Sequence, residues 1–120
     1  MPFEGEIHKR TYNFALRIVL LARHLPDSPE CRVMTRQLVR SGTSVGANVE
    51  EAAAGSSRQD FLHSMNIALK EARETHYWLR LIRDARILPA TRMEKIIVEA
   101  DELRRVLGAI VSKGRGTRKQ

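Results

Sequence analysis

The sequence has a single cysteine, few aromatic residues and no long apolar run, and each shortage removes a class of protein. Cys31 alone cannot close a bridge within the chain or build a cysteine zinc cluster, so nothing points to an oxidising compartment and a reduced cytoplasm is the default expectation. The longest uncharged apolar run, Ile18 to Ala22, is bracketed by Arg17 and Arg23 and falls far short of the roughly 20 residues a membrane span requires. The acidic opening, Met1-Pro2-Phe3-Glu4-Gly5-Glu6, does not resemble a signal peptide. Aromatic residues make up 5% of the chain, which limits it to a modest core. What is present fits one folded domain: 42% hydrophobic and 29% charged positions over 120 residues, a length that buries roughly two thirds of its unfolded surface.

Charge is the first positive signal. Lys and Arg number 21 against 14 Asp and Glu, a net +7 that favours anionic partners such as nucleic acid. The stretch Ser112 to Gln120 holds Lys113, Arg115, Arg118 and Lys119 with no acid, so it supplies four of the seven charges. Gly114 and Gly116, with Ser112 and Thr117, read as a flexible electrostatic arm over residues 112–120. The plain alternative is a solubilising terminus with no ligand.

Residues 1–111 read as all-α. Four segments carry apolar residues at helical spacing, and no segment of useful length shows the alternation of a strand. The first helix, about 7–25, places Ile7, Phe14, Ile18, Leu21 and Leu25 on one stripe and meets the breaker Pro26-Asp27-Ser28-Pro29. The second, about 30–53, turns Cys31, Met34, Leu38, Val45, Val49 and Ala52 inward, with Ser41 and Asn48 on the same seam. The third, about 58–85, follows a cap signal at Ser57 and runs Phe61, Met65, Ala68, Ala72, Thr75, Leu79 and Ile82 along its seam. The fourth, about 91–111, aligns Met93, Ile96, Ala100, Leu103, Leu107 and Ile110 and is expected to stop before the glycines. Long helices joined by short connections predict an antiparallel up-down-up-down four-helix bundle.

Within the second helix, Gly42 and Gly46 each cost about 1 kcal/mol relative to Ala, so they are expected to serve close approach of a neighbouring helix. A phosphate loop is excluded, because no Gly-Lys-Ser/Thr follows and no strand precedes. Asn48, on the seam, is expected to fix register between helices.

The run Arg40-Ser41-Gly42-Thr43-Ser44-Val45-Gly46-Ala47-Asn48-Val49-Glu50-Glu51-Ala52, then Asp60-Phe61, then Ile67 through Leu79, resembles the bacterial four helix bundle protein family. These are also called ribosomal RNA intervening-sequence proteins. The resemblance implies an up-and-down bundle that assembles as a homopentameric open barrel. It also implies kinship with the accessory variability determinant of diversity-generating retroelements, a basic pentamer that binds a reverse transcriptase and its RNA. It implies no catalytic activity. Ser44, Asn48, Glu51 and Glu74 match positions of the pattern and are expected to act as structural polar groups.

Two basic ribbons are candidate nucleic-acid contacts: Arg32, Arg36 and Arg40 on the second helix, and Lys70, Arg73 and Arg80 with Tyr77 on the third. The arm adds Lys113, Arg115, Arg118 and Lys119. The plainer reading is solvated faces partly paired with Glu71, Glu74 and Asp84. Ile67, Tyr77, Trp78 and Leu81 lie off the third helix's seam and mark an expected subunit interface, unless a loop folds over Trp78. A bundle di-metal site needs two Glu-x-x-His pairs, and the chain offers one approximation, Asp60-x-x-His63, so no metal or other cofactor is expected. The leading expectation is a non-enzymatic, cytoplasmic homo-oligomer acting as a basic scaffold for RNA, DNA or a nucleoprotein partner. A protein-interaction module without a nucleic-acid ligand is the main rival, and a carboxylate-metal enzyme the remote one.

Overall fold

Four helices make up the computed structural model, which describes residues 4–116: α1 (Glu4–Ala22), α2 (Pro29–Ala54), α3 (Arg58–Asp84) and α4 (Ala90–Gly116). No strand occurs among the described residues. Local chemistry sets the helix starts. Ser28 stays extended and its hydroxyl accepts from the Cys31 N–H at 3.2 Å, while Pro29 brings to the first turn a residue with no N–H to satisfy. Ser57 repeats the device for α3, accepting from the Asp60 N–H at 3.0 Å, and the Asp60 charge suits the positive end of the helix dipole. At the close of α2 the backbone turns extended at Gly55, whose N–H still reaches the Ala52 carbonyl.

Three helix ends differ from the sequence expectation by three residues or more, the first being the start of α1, at Glu4 where about residue 7 was expected. α1 ends at Ala22, because His24 and Leu25 donate to the carbonyls of Leu21 and Ala22 and so tighten the chain into turns, with Leu25 still packed on the core. α4 runs on through Gly116, so residues 112–116 continue the helix where a flexible arm was expected; residues 117–120, with Arg118 and Lys119, lie outside the described residues. The reason is packing. A Cβ at Gly114 would come within 2.4 Å of Leu62 Cδ2, so the glycine seats α4 against α3, and Arg58 donates to the Gly114 carbonyl at 2.6 Å. Lys113 and Arg115 also favour the negative end of the dipole.

The apolar stripes meet along an axis in a body of 49 × 23 × 23 Å. Phe14, Ile18, Leu38, Met65, Leu79, Ile82, Met93, Leu103 and Leu107 are its largest fully buried side chains. Each helix packs on the next in sequence, and α1 also borders α4. Gly42 faces Ile18, and a Cβ there would stand 2.8 Å from both of its γ carbons; Gly46 faces the Thr11 carbonyl, 3.2 Å from such a Cβ. The two glycines thus let α1 and α2 approach closely, with rising numbers on one meeting falling numbers on the other. The same reversal relates α3 and α4, where Leu69 lies by Gly108 and Leu62 by Gly114. α1 and α4 share the slightest contact of the four, and it is tied by charge: Arg10 donates to Glu99 at 2.7 and 3.2 Å and to Glu102 at 3.0 Å.

Asn48 does not link helices. It sits half-buried at the flank of α2, where its amide donates to the carbonyl and hydroxyl of Ser44 one turn back, at 2.9 and 3.0 Å. A buried polar contact between α2 and α3 is made by Ser41 and Thr75, both fully buried, with hydroxyls 3.0 Å apart.

Candidate nucleic-acid interface

The α2 ribbon is largely occupied by acids. Arg32 pairs with Asp27 at 2.6 Å, both exposed. Arg40 crosses to α3, where it meets Glu71 at 3.1 Å and Glu74 in a closer contact, and its Nε donates to Gln37. Its guanidinium is raised above its ordinary pKa, chiefly by the Glu74 hydrogen bond. Arg36 alone of this ribbon stands exposed with no carboxylate partner among the described residues. Glu51 is exposed on the same helix.

Glu74 has a second partner. The Trp78 indole donates to it at 3.0 Å, and this bond, ahead of Arg40, holds the Glu74 carboxyl below its ordinary range despite partial burial. Trp78 is therefore turned back onto its own bundle: it is half-buried and packs on the core. Of the four residues expected at an interface, Ile67 and Trp78 are half-buried, while Tyr77 and Leu81 are exposed. Sequence reading missed a larger apolar face. Tyr12, Leu16 and Leu20 recur every four residues along α1, opposite its core stripe, and are 64%, 50% and 45% exposed. Their i, i+4, i+8 spacing was the available signal.

The α3 ribbon is different, because folding enlarges it. Leu69, Arg73, His76, Arg80 and Arg83 follow one another at steps of three and four along the side of α3 that borders α4. Asp101, Arg104, Gly108, Ser112 and Arg115 do the same on α4, with Arg105 beside them. Between them runs a groove floored by Leu69, Gly108 and Val111 and walled by Arg73, Ser112 and Arg115. Gly108 leaves it open, since the nearest side-chain atom to a Cβ built there is Leu69 Cδ1, 3.8 Å away. Asp101 bridges Arg104 at 2.7 Å and Arg105 at 3.0 Å, and Arg83 holds Asp84 at 2.8 Å. Among the described residues no carboxylate pairs with Arg73, Arg80 or Arg115. Lys70 and Lys113 are exposed beyond this side.

His76 lies half-buried in this row. Burial lowers its pKa first, and the charges of Arg80, Arg104 and Arg83 lower it further, against an opposing pull from Asp101. The His76 imidazole therefore takes up a proton less readily than a free one. Among the described residues no three His, Cys, Asp or Glu side chains gather in a group able to hold a metal, and no helix is long and apolar enough to cross a membrane.

A family model described as 23S rRNA-intervening sequence protein matches residues 4–109, nearly all of the folded region. The chain belongs to that family. A crystal structure at 1.70 Å of a protein of unknown function from the S23 ribosomal protein family of Bacteroides thetaiotaomicron is 40% identical. It covers 88% of this chain and 97% of its own, with a TM-score of 0.81. No curated protein matches. Kinship with the intervening-sequence family accounts for the four-helix fold.

Proposed function

We propose that this member of the intervening-sequence family is a non-enzymatic scaffold, an up-down-up-down four-helix bundle that assembles with copies of itself and binds nucleic acid. The observation that carries the reading is the meeting of Arg73 and Arg115 in one groove between α3 and α4, neither with a carboxylate partner among the described residues, with Arg80 two turns further along the same side of α3. Arginines left without counter-charges in a shared groove are suited to phosphate, which they contact through several donors each. The reversed pairing of residue numbers between successive helices supports the up-down course.

Self-assembly rests on the exposed α1 stripe of Tyr12, Leu16 and Leu20, an apolar face on a helix whose opposite side is already buried. The pentamer is the stoichiometry that the family resemblance implies. Repetition of a weak phosphate-binding face around a ring multiplies affinity without new contacts. The same stripe favours a second reading, in which its partner is another protein and the charge serves solubility.

Fluorescence anisotropy of a labelled single-stranded RNA, titrated with protein over a range of salt, tests the reading. Binding that weakens steeply and linearly in log salt is the expected result. Absence of binding at low salt overturns it, and a partner retained after nuclease treatment then favours the protein module.

A further inference from the structure

We infer that the α3 and α4 groove and the exposed side of α3 next to it form a track for single-stranded nucleic acid: Arg73 and Arg115 hold a backbone phosphate in the groove, and Tyr77, outside it, stacks a base. The inference rests on the reading above and gives it a location and a substrate class. Its basis is the company Tyr77 keeps. The ring is 50% exposed, and its edge-to-face contact with Trp78, centroids 5.1 Å apart, holds it in place. Arg73 stands four residues before it and Arg80 three residues after, about 10 Å apart along the helix axis, so a cation lies one turn to each side of the ring. A rigid exposed aromatic between two cations is how single strands are held without reading their sequence: bases stack on the ring and phosphates meet the charges.

The groove beside it meets the phosphate. Arg73 and Arg115 enter from different helices, Ser112 adds a hydroxyl, and Gly108 leaves the floor without a side chain. Neither arginine must break an ion pair to serve. A duplex hides its base faces, so Tyr77 has nothing to stack on there, and the site prefers an open strand. The α2 ribbon has no such arrangement, since Arg40 is held by Glu71 and Glu74 and Arg32 by Asp27.

The test compares double variants of the full chain by anisotropy of a fluorescein-labelled oligothymidylate, with folding checked by circular dichroism. Arg73→Gln with Arg115→Gln removes both contacts to that phosphate and is expected to weaken binding at least tenfold and to flatten the log-log salt slope by about 0.7, the value for one phosphate of a single strand. The same pair of changes at Arg32 and Arg36 is expected to alter affinity less than threefold. Tyr77→Ala is expected to lose fivefold or more and Tyr77→Phe to retain wild-type binding, with oligomeric mass unchanged in both. Wild-type protein that fails to bind removes the nucleic-acid reading itself. Wild-type binding with an unmoved groove variant overturns the location alone. A blunt duplex bound as tightly as the single strand, or a Tyr77→Ala variant that changes its mass, overturns the stacking role.

Discussion

The hydroxyls of Ser41 and Thr75 stand 3.0 Å apart in the fully buried contact between α2 and α3, which is apolar on either side of them. Each hydroxyl also has a carbonyl of its own helix in reach, Leu38 at 3.3 Å from Ser41 and Glu71 at 2.7 Å from Thr75, so two hydroxyl protons are shared among three contacts; Thr75 donating to Glu71 leaves Ser41 free to donate to Thr75. Thr75→Val keeps the shape and removes one member. It is expected to destabilise by about 1 kcal/mol in urea unfolding, while adding Ser41→Ala to that variant costs much less, since an unpaired buried group is dearer than an apolar pair. Equal costs for Ser41→Ala in both backgrounds would show that the two do not interact.

Gly46 of α2 and Gly108 of α4 should respond in opposite directions. Gly46→Ala drives a methyl to 3.2 Å from the Thr11 carbonyl oxygen, a backbone atom that cannot swing away, and is expected to destabilise by roughly 1–2 kcal/mol even after the gain in helix propensity. Gly108→Ala meets its first neighbour at 3.8 Å and is expected to stabilise by about 0.5–1 kcal/mol. Thermal melts of the two variants decide it; a stabilised Gly46→Ala contradicts the close approach of α1 and α2.

Acid should act through His76. Burial, Arg80, Arg104 and Arg83 hold the folded imidazole below its ordinary 6.5, against Asp101, so the unfolded chain takes up this proton more readily. Stability is therefore full above about 6.5 and falls as pH drops below it. The melting temperature of wild type is expected to drop more between neutral pH and mildly acidic pH than that of His76→Gln. Parallel curves would remove His76 as the cause.

Trp78 makes the complementary case for an acid. Glu74 is held below its ordinary 4.5 by the indole hydrogen bond first and Arg40 second, so what it adds to stability is present above that value and is lost as pH falls through the folded one. Trp78→Phe deletes the donor and keeps most of the ring. The Glu74 carboxyl, followed by NMR titration, is expected to move up toward its ordinary value; a carboxyl that stays where it was assigns the effect to Arg40.

How much of this was legible follows from the range of each interaction. The inward stripes of α1, α2 and α3 are periodic within single helices, so Ile18, Leu38, Met65 and Leu79 could be placed in the core from spacing alone. Gly42 and Gly46 announced a close neighbour by their cost to the helix, but not that the neighbour is α1. Asn48 misled because a helical wheel gives direction without depth, and at the flank its amide finds Ser44 instead. The sequence left two readings of Arg40 open, a phosphate contact or a partner of Glu71 and Glu74, because those acids lie some thirty residues away in the chain, and folding makes the second the one seen. Arg104 and Arg105 of α4 were not read, and Arg115 was read only as part of a flexible arm, since only folding brings them beside the α3 row. Gly114 looked like a helix stop, and its true role under Leu62 depends on the same contact.

Absolute mass by light scattering, with and without a short single-stranded RNA, tests the scaffold most directly. A mass near five times the 13.7 kDa chain, rising further with RNA and falling to the single chain in Leu16→Glu, is the predicted result. A wild-type mass of 13.7 kDa that RNA leaves unmoved would contradict both the assembly and the ligand.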